Sequence, residues 1–248
     1  SSTDVMFFDA DSNNIGIGSG ALYNNNASDN IGIGTSSGGQ ITTGTGNIGI
    51  GNSALGQNHE GNDNISIGTQ SMLYTNHISN ANGNIAMGNM AMATVIEGSN
   101  NIAIGNAALF GGYNAANNNT ALGHQAGQGV VGDNNVYIGY QAGLNDGASS
   151  NHLYIESSSA DATAALIYGE FDNDILRFNG DVGIGRAPST NSFEVNGNAS
   201  KNVAGSWLAN SDRRLKKNIR TINSSYALNK LLSLRGVTYE WNDDKTGI

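Results

Sequence analysis

The sequence predicts an all-β chain. The expected form is a trimeric β-solenoid or β-roll of about eight coils, then an interleaved β neck and a short α/β C-terminal segment. Three observations carry that expectation. A motif recurs eight times within residues 1–150, the composition suits turns better than a thick core, and the charge changes sign near residue 200.

The motif sets the architecture of the first segment. NIGIGSGAL begins at Asn14, NIGIGTSSG at Asn30, NIGIGNSAL at Asn47 and NISIGTQSM at Asn64. NIAMGNMAM begins at Asn84, NIAIGNAAL at Asn101, NTALGHQAG at Asn119 and NVYIGYQAG at Asn135. The spacings are 16, 17, 17, 20, 17, 18 and 16 residues, and Asn151 follows 16 further on in NHLYIE, where the Gly is lost. Apolar alternation, as in Ile15 and Ile17, predicts one short strand per copy. The Gly that follows (18, 34, 51, 68, 88, 105, 123, 139) suits a positive-φ turn or close backbone packing. The small residue three places later, from Ala21 to Ala142, predicts close approach in a second short strand. Asn at one place in every coil predicts a side-chain ladder. The variable stretches 73–83 and 110–118 are expected to be loops on one edge. Disorder, the other common fate of Asn/Gly/Ser-rich sequence, would not require an apolar residue and a Gly at fixed places in every unit.

Composition predicts the oligomer. Of the 248 residues, 38% are hydrophobic, 12% charged and 7% aromatic, with 35 Gly, one Pro and no Cys. A coil of this length offers two or three inward apolar side chains. At about 25 cal/mol per Å², so thin a column hardly offsets the roughly 1–2 kcal/mol of backbone entropy lost per residue. Three chains pooling their columns along one axis resolve the deficit; a dimer or a self-sufficient solenoid is the competing arrangement. The absence of Cys excludes a disulfide framework and thiolate metal sites. No apolar run is long enough to span a bilayer, and SSTDVMFFDA lacks the features of a signal peptide.

Charge divides the chain and excludes partners. Residues 1–200 carry sixteen acids and only two bases, Arg177 and Arg186, whereas residues 201–248 carry nine bases and four acids. A body so poor in cations cannot neutralise phosphates, so neither nucleic acid nor an anionic membrane is an expected partner. Residues 151–210 read as the neck, with β-type runs at 166–168, 175–178, 182–184 and 192–195. Asn179-Gly180 and Asn196-Gly197 are hairpin-type dipeptides within it. In residues 211–248 composition becomes ordinary. Asn223 or Ser224 can cap a helix bearing Ala227, Leu228, Leu231 and Leu232, Gly236 ends it, and 237–241 reads as a strand.

The repeats resemble the head repeats of trimeric autotransporter adhesins, and more closely the Asn-x-Ala-Ile-Gly arrays of phage and bacterial tail fibres. Residues 211–248 resemble the start of the intramolecular chaperone, or auto-processing, domain of phage tailspikes and endosialidases. Ser211, Asp212, Arg214, Leu215, Lys216, Asn218 and Ile219 carry the first block of that likeness. Leu234, Arg235, Gly236, Val237, Tyr239 and Trp241 carry the second. The resemblance implies a fibre that attaches to a host surface, with a chaperone domain that cuts itself off between Asn210 and Ser211. It implies Ser211 as nucleophile and Lys216 as the base that activates it, a pairing chemically sound where the Lys is desolvated. Arg213 or Arg214 would tune the Lys or hold an oxyanion. Without the resemblance, Ser211-Asp212 reads as a turn cap. A domain cut short at Ile248 is expected neither to chaperone nor to cleave as it stands.

The implied partners are two further copies of the chain, a host-surface glycan or protein receptor, and other virion tail proteins. The implied location is a virion tail fibre outside the cell, with a bacterial surface adhesin as the alternative. A glycan-degrading tailspike would need two acids about 5 to 9.5 Å apart in a groove; Asp9/Asp11 and Asp172/Asp174 are the close pairs, at a spacing that suits turns or cation ligands better. No cofactor or metal is expected. The calcium-roll and EF-hand patterns are missing, and His59, His77, His124 and His152 have no mutual ligand spacing and are expected in surface loops.

Overall fold

The computed structural model describes residues 6–74, 81–94, 97–111, 116–188, 192–196 and 224–234. The chain divides into two compact units, Ser1–Gly197 and Asn198–Ile248. The first is a β-solenoid. Strands β2 (Asn14–Ile17), β3 (Ile31–Ile33), β4 (Ile48–Ile50), β5 (Ile65–Ile67), β6 (Ile85–Met87), β7 (Ile102–Ile104), β8 (Thr120–Leu122) and β9 (Val136–Ile138) stack in parallel, one per repeat. The register is that of the motif: Ile15 pairs with Ile31, Ile31 with Ile48, and so on to Leu122 with Ile138. Strand β10 (His152–Ile155) adds a ninth parallel strand. Antiparallel strands close both ends of this sheet: β1 (Met6–Asp9) on β2, then β11 (Ile167–Glu170) and β12 (Ile175–Phe178) beyond β10. A separate parallel pair, β13 (Val182–Ile184) and β14 (Phe193–Val195), follows. The second unit's described part is the helix α1 (Ser224–Leu232).

The predicted Asn ladder is present and is more directional than the motif alone implies. The Oδ1 of Asn47 accepts both the backbone N–H and the Nδ2 of Asn64, each at 3.1 Å. Asn64 in turn accepts the same two donors from Asn84, and its own Nδ2 reaches the Ala81 carbonyl at 2.7 Å. Equivalent bonds link Asn84 to Asn101 and Asn101 to Asn119. These amides are buried from Asn14 to Asn135, yet their polar atoms are satisfied coil by coil. A second ladder runs the other way: the Thr45, Asn62, Asn82, Ser99, Asn117 and Asp133 backbone N–H groups each donate to a side-chain oxygen of the next coil.

The corner glycines are required by the same stacking. Gly18 has φ of 124°, and a Cβ there would lie 2.7 Å from the Gly34 carbonyl oxygen; the clash recurs along the column. No side chain fits between backbones spaced at about 4.8 Å.

Two expectations are corrected, and the structure decides one point that the alternation left open. No second strand forms after the corner; the chain turns instead, through left-handed residues such as Ser53 at φ 53° and Leu55 at φ 52°. The strain of an L-residue there, about 1–2 kcal/mol, is offset by seating Leu55, Met72, Met92 and Leu109 inside the coil, each essentially buried. The isoleucines of the motif face outward, and the residue between them faces the interior. That inner column grows from Gly16, Gly32 and Gly49 through Ser66, Ala86, Ala103 and Ala121 to Tyr137. Volume is conserved locally: Tyr137 occupies space that Gly127 and Gly143 leave open. Lastly, Asn179-Gly180 is not a hairpin tip. The antiparallel turn is 171–174, between β11 and β12, and the β13–β14 pair is parallel. Asn196 closes β14, and Gly197 lies outside the described residues, as do 75–80 and 112–115 of the expected loops.

Replacing Asn64 by Ala would leave the Ala81 carbonyl and the Asn84 backbone N–H without partners and would leave the Asn84 amide only its bond to the Gly98 carbonyl. The expected loss is about 3 kcal/mol or more, read by denaturant unfolding, against less than about 0.5 kcal/mol for Asn52→Ala on the exposed turn.

Candidate functional site

The sheet's outer face is a chemically uniform surface that runs along the described solenoid strands. Two side-chain columns run along it. One is Ile15, Ile31, Ile48, Ile65, Ile85, Ile102, Thr120 and Val136; the other is Ile17, Ile33, Ile50, Ile67, Met87, Ile104, Leu122 and Ile138. Ile104 is 41% exposed and Met87 39%, with Ile50 and Ile138 close behind. Fifteen of these sixteen side chains are apolar and none is charged. A monomer rarely leaves so continuous an aliphatic face to water. Apolar exposure persists in the following strands, at Leu166, Ile175, Leu176 and Phe178 and at Ile184 and Phe193.

The residues proposed from the chaperone resemblance, Ser211 and Lys216, lie outside the described residues, as do Asn210, Arg213 and Arg214. Helix α1 starts at Ser224 as expected, carries Lys230 in its last turn, where the C-terminal partial negative charge favours a cation, and leaves Tyr226, Leu228, Leu231 and Leu232 exposed. Gly236 and the expected strand at 237–241 are outside the described residues.

Of the paired acids, Asp9 ends β1 and bonds into the turn that follows, and Asp11, Asp172 and Asp174 lie in turns. The Asp9 carboxylate accepts the Ser12 hydroxyl at 2.5 Å and the backbone N–H of Asp11 at 3.1 Å, and these bonds hold its pKa below the ordinary value. Asp172 and Asp174 sit in the 171–174 turn, Asp174 with φ of 53°. Among the described residues no group of His, Cys, Asp and Glu is arranged to hold a metal ion.

His152 is not a loop residue. It lies in β10, within a polar-aromatic cluster that closes the C-terminal end of the stack. Asp146 is the hub, its side chain 3% exposed: Oδ2 accepts the Tyr137 hydroxyl at 2.6 Å, while Oδ1 accepts the Tyr154 hydroxyl at 3.1 Å and lies 2.8 Å from His152 Nδ1. The Tyr168 hydroxyl donates to Glu170 at 2.9 Å and lies 3.2 Å from His152 Nε2. Tyr154 and Tyr168 meet edge to face at 5.1 Å, and the Arg177 guanidinium covers Tyr168. The sequence held a signal for this cluster. Tyr137 and Tyr154 occupy the inner register position that is Gly, Ser or Ala in every earlier coil, so aligned repeats mark where the stack ends. Of the remaining histidines, His124 is exposed and stacks on Tyr140 at 5.5 Å, His59 is partly buried, and His77 is outside the described residues.

Burial raises the Tyr137 and Tyr154 phenols above their ordinary range, the Asp146 charge adding to it. Tyr168 is pushed up to about 12 by burial first and by its bond to Glu170 second. Folded phenols that hold their protons more tightly than unfolded ones confer stability that is whole below pH about 10 and declines as pH rises through the folded values. Denaturant unfolding measured across that range is expected to show the decline. Tyr168→Phe should lower stability near neutrality by about 1 kcal/mol and flatten the alkaline slope; an unchanged slope means Tyr168 ionises as freely folded as unfolded.

Residues 211–248 match the model of a protein family described as the chaperone of endosialidase. No curated protein and no solved structure gives a significant match to the chain. A chaperone-of-endosialidase segment following a β-solenoid is the make-up of a tail-fibre or tailspike type of protein.

Proposed function

We propose that the chain is a segment of a homotrimeric fibre, a phage tail fibre that attaches to a host surface, in which three copies meet along their aliphatic sheet faces. The single observation carrying this reading is the pair of outward isoleucine columns. Their side chains are apolar, regularly spaced along the whole stack, and superfluous to the interior of their own coil. Identical flat faces related by rotation bury one another without the steering charges that a foreign partner would call for. The match at 211–248 supports the same reading, because the resemblance attributes trimer assembly to such domains. Ser211 and Lys216 would perform one self-cleavage after Asn210, a maturation step rather than turnover of an external substrate. Glycan hydrolysis is disfavoured by the turn roles of Asp9, Asp172 and Asp174.

Native mass measurement of the chain is expected to give three times the chain mass. Ile67→Glu together with Ile104→Glu should release monomers, because each would bury three copies of an unpaired carboxylate. A wild-type monomer with folded coils sinks the assembly. In the natural full-length product, a fragment beginning at Ser211 is expected, and it should disappear in Ser211→Ala and in Lys216→Ala. An uncut wild-type product would rule self-cleavage out.

A further inference from the structure

One position of the repeat varies from coil to coil and lies outside the Asn ladder, the corner and the isoleucine columns. The fifth residue after each corner glycine belongs to the turn that follows the strand, and in the first four coils it is Tyr23, Gly39, Gly56 and Leu73. These turns are in hydrogen-bonded register: the Asn24 N–H donates to the Gly39 carbonyl at 3.3 Å and the Gln57 N–H to the Leu73 carbonyl at 3.0 Å. Gly39 and Gly56, both buried and Gly56 overlain by the Leu73 side chain, form the floor of an open notch of about 570 Å³ that has Tyr23 at one end and Leu73 at the other. Three coil steps at about 4.8 Å set the Tyr23 and Leu73 backbones about 14 Å apart. Gln40 and Gln57 line it beside the Ser36 hydroxyl. The Gln40 amide is held by Asn24 at 2.9 Å, whereas the Gln57 amide has no hydrogen-bond partner among the described residues. Tyr23 is 65% exposed, so the core does not need its ring.

We propose that this notch binds a short uncharged oligosaccharide. Its volume falls in the range of small-ligand sites, about 300–1,000 Å³. An apolar ligand would leave the amide and hydroxyl lining unpaired. A sugar offers hydroxyls to those groups and a C–H face to the exposed phenol ring, whose body is apolar and whose tip is polar. The lining carries no charge, and no basic residue precedes Arg177, so a sialylated or phosphorylated glycan would find no counter-charge here and a repelling acidic body. All lining residues come from the turns after the corner, outside the two isoleucine columns. The biological use of the site rests on the attachment reading; its chemistry does not.

The test is a titration of the whole chain, by saturation-transfer NMR and calorimetry, with uncharged gluco-, manno- and galacto-oligosaccharides and with sialyllactose as the charged comparison. Saturable binding of at least one uncharged oligosaccharide is expected, with sialyllactose not bound. Tyr23→Ala and Gln57→Leu, both at the surface, should each weaken it about tenfold or more, an amount equal to about 1.4 kcal/mol; Tyr140→Ala, elsewhere on the stack and 50% exposed, should leave it unchanged. Failure of every uncharged oligosaccharide to bind, a preference for sialyllactose, or binding indifferent to Tyr23 and Gln57 overturns the proposal. Native mass of the same sample separates the two readings. A trimer without sugar binding removes the notch alone, and a monomer that binds through Tyr23 removes the assembly alone.

Discussion

Successive coils lie one strand spacing apart at the strand, at the corner and at the Asn turn alike. The strands hydrogen-bond in register, the asparagines bond amide to amide, and the corner backbones pass too closely for a Cβ. Side chains must therefore stack on their own kind or leave the column. Asn suits the buried turn because one oxygen accepts two N–H groups from above while its nitrogen donates to the neighbouring carbonyl. An aspartate there would bring a buried charge into every coil, and an alanine would leave carbonyls unpaired.

The same tight spacing explains why the molecule is thin inside and oily outside. The interior holds Ala, Ser and Gly, with a Leu or Met in five coils (Leu22, Leu55, Met72, Met92 and Leu109) and with Ile41 and Tyr137 where Gly38, Gly127 and Gly143 make room. Such coils do close around an interior of their own, so the shortage of core foreseen from composition is one of amount, not of closure. The bulk of the branched aliphatic side chains lies on the sheet's outer face. A parallel stack also exposes unpaired edges, a standing invitation to further strands. Here β1 reverses direction at one end, and β11 and β12 at the other, where Asp146 and three tyrosines replace the aliphatic filling by a hydrogen-bonded closure.

Much of this was legible residue by residue. The position of every solenoid strand follows from Asn-x-x-apolar-Gly, the Asn ladder from its constancy, and the corner from Gly. The later strands fall within a residue or two of the runs that announced them, and α1 begins where Ser224 offers a cap. Of the two readings open for the acid pairs, turn or cation ligand, Asp9 takes the first in part: it ends β1 and its carboxylate accepts the Asp11 backbone N–H of the following turn. The notch around Tyr23 was not legible, because it depends on which residues of four separate coils share one column of turns. Of the Asp146 closure only the place was legible, from Tyr137 and Tyr154 at the inner register position; its bonds join residues spread from Tyr137 to Arg177.

By itself the sequence determined the period, the strand, the corner and the ladder, since each follows from a local rule applied to a repeated motif. Only the tertiary structure decided which way the isoleucines face. Alternation with period two specifies two opposite faces but is silent on which is inside. The answer came from the turn after the corner. Left-handed residues such as Leu55 and Met72 fold their own side chains into the coil, and the room that remains admits Gly, Ser or Ala from the strand but not Ile.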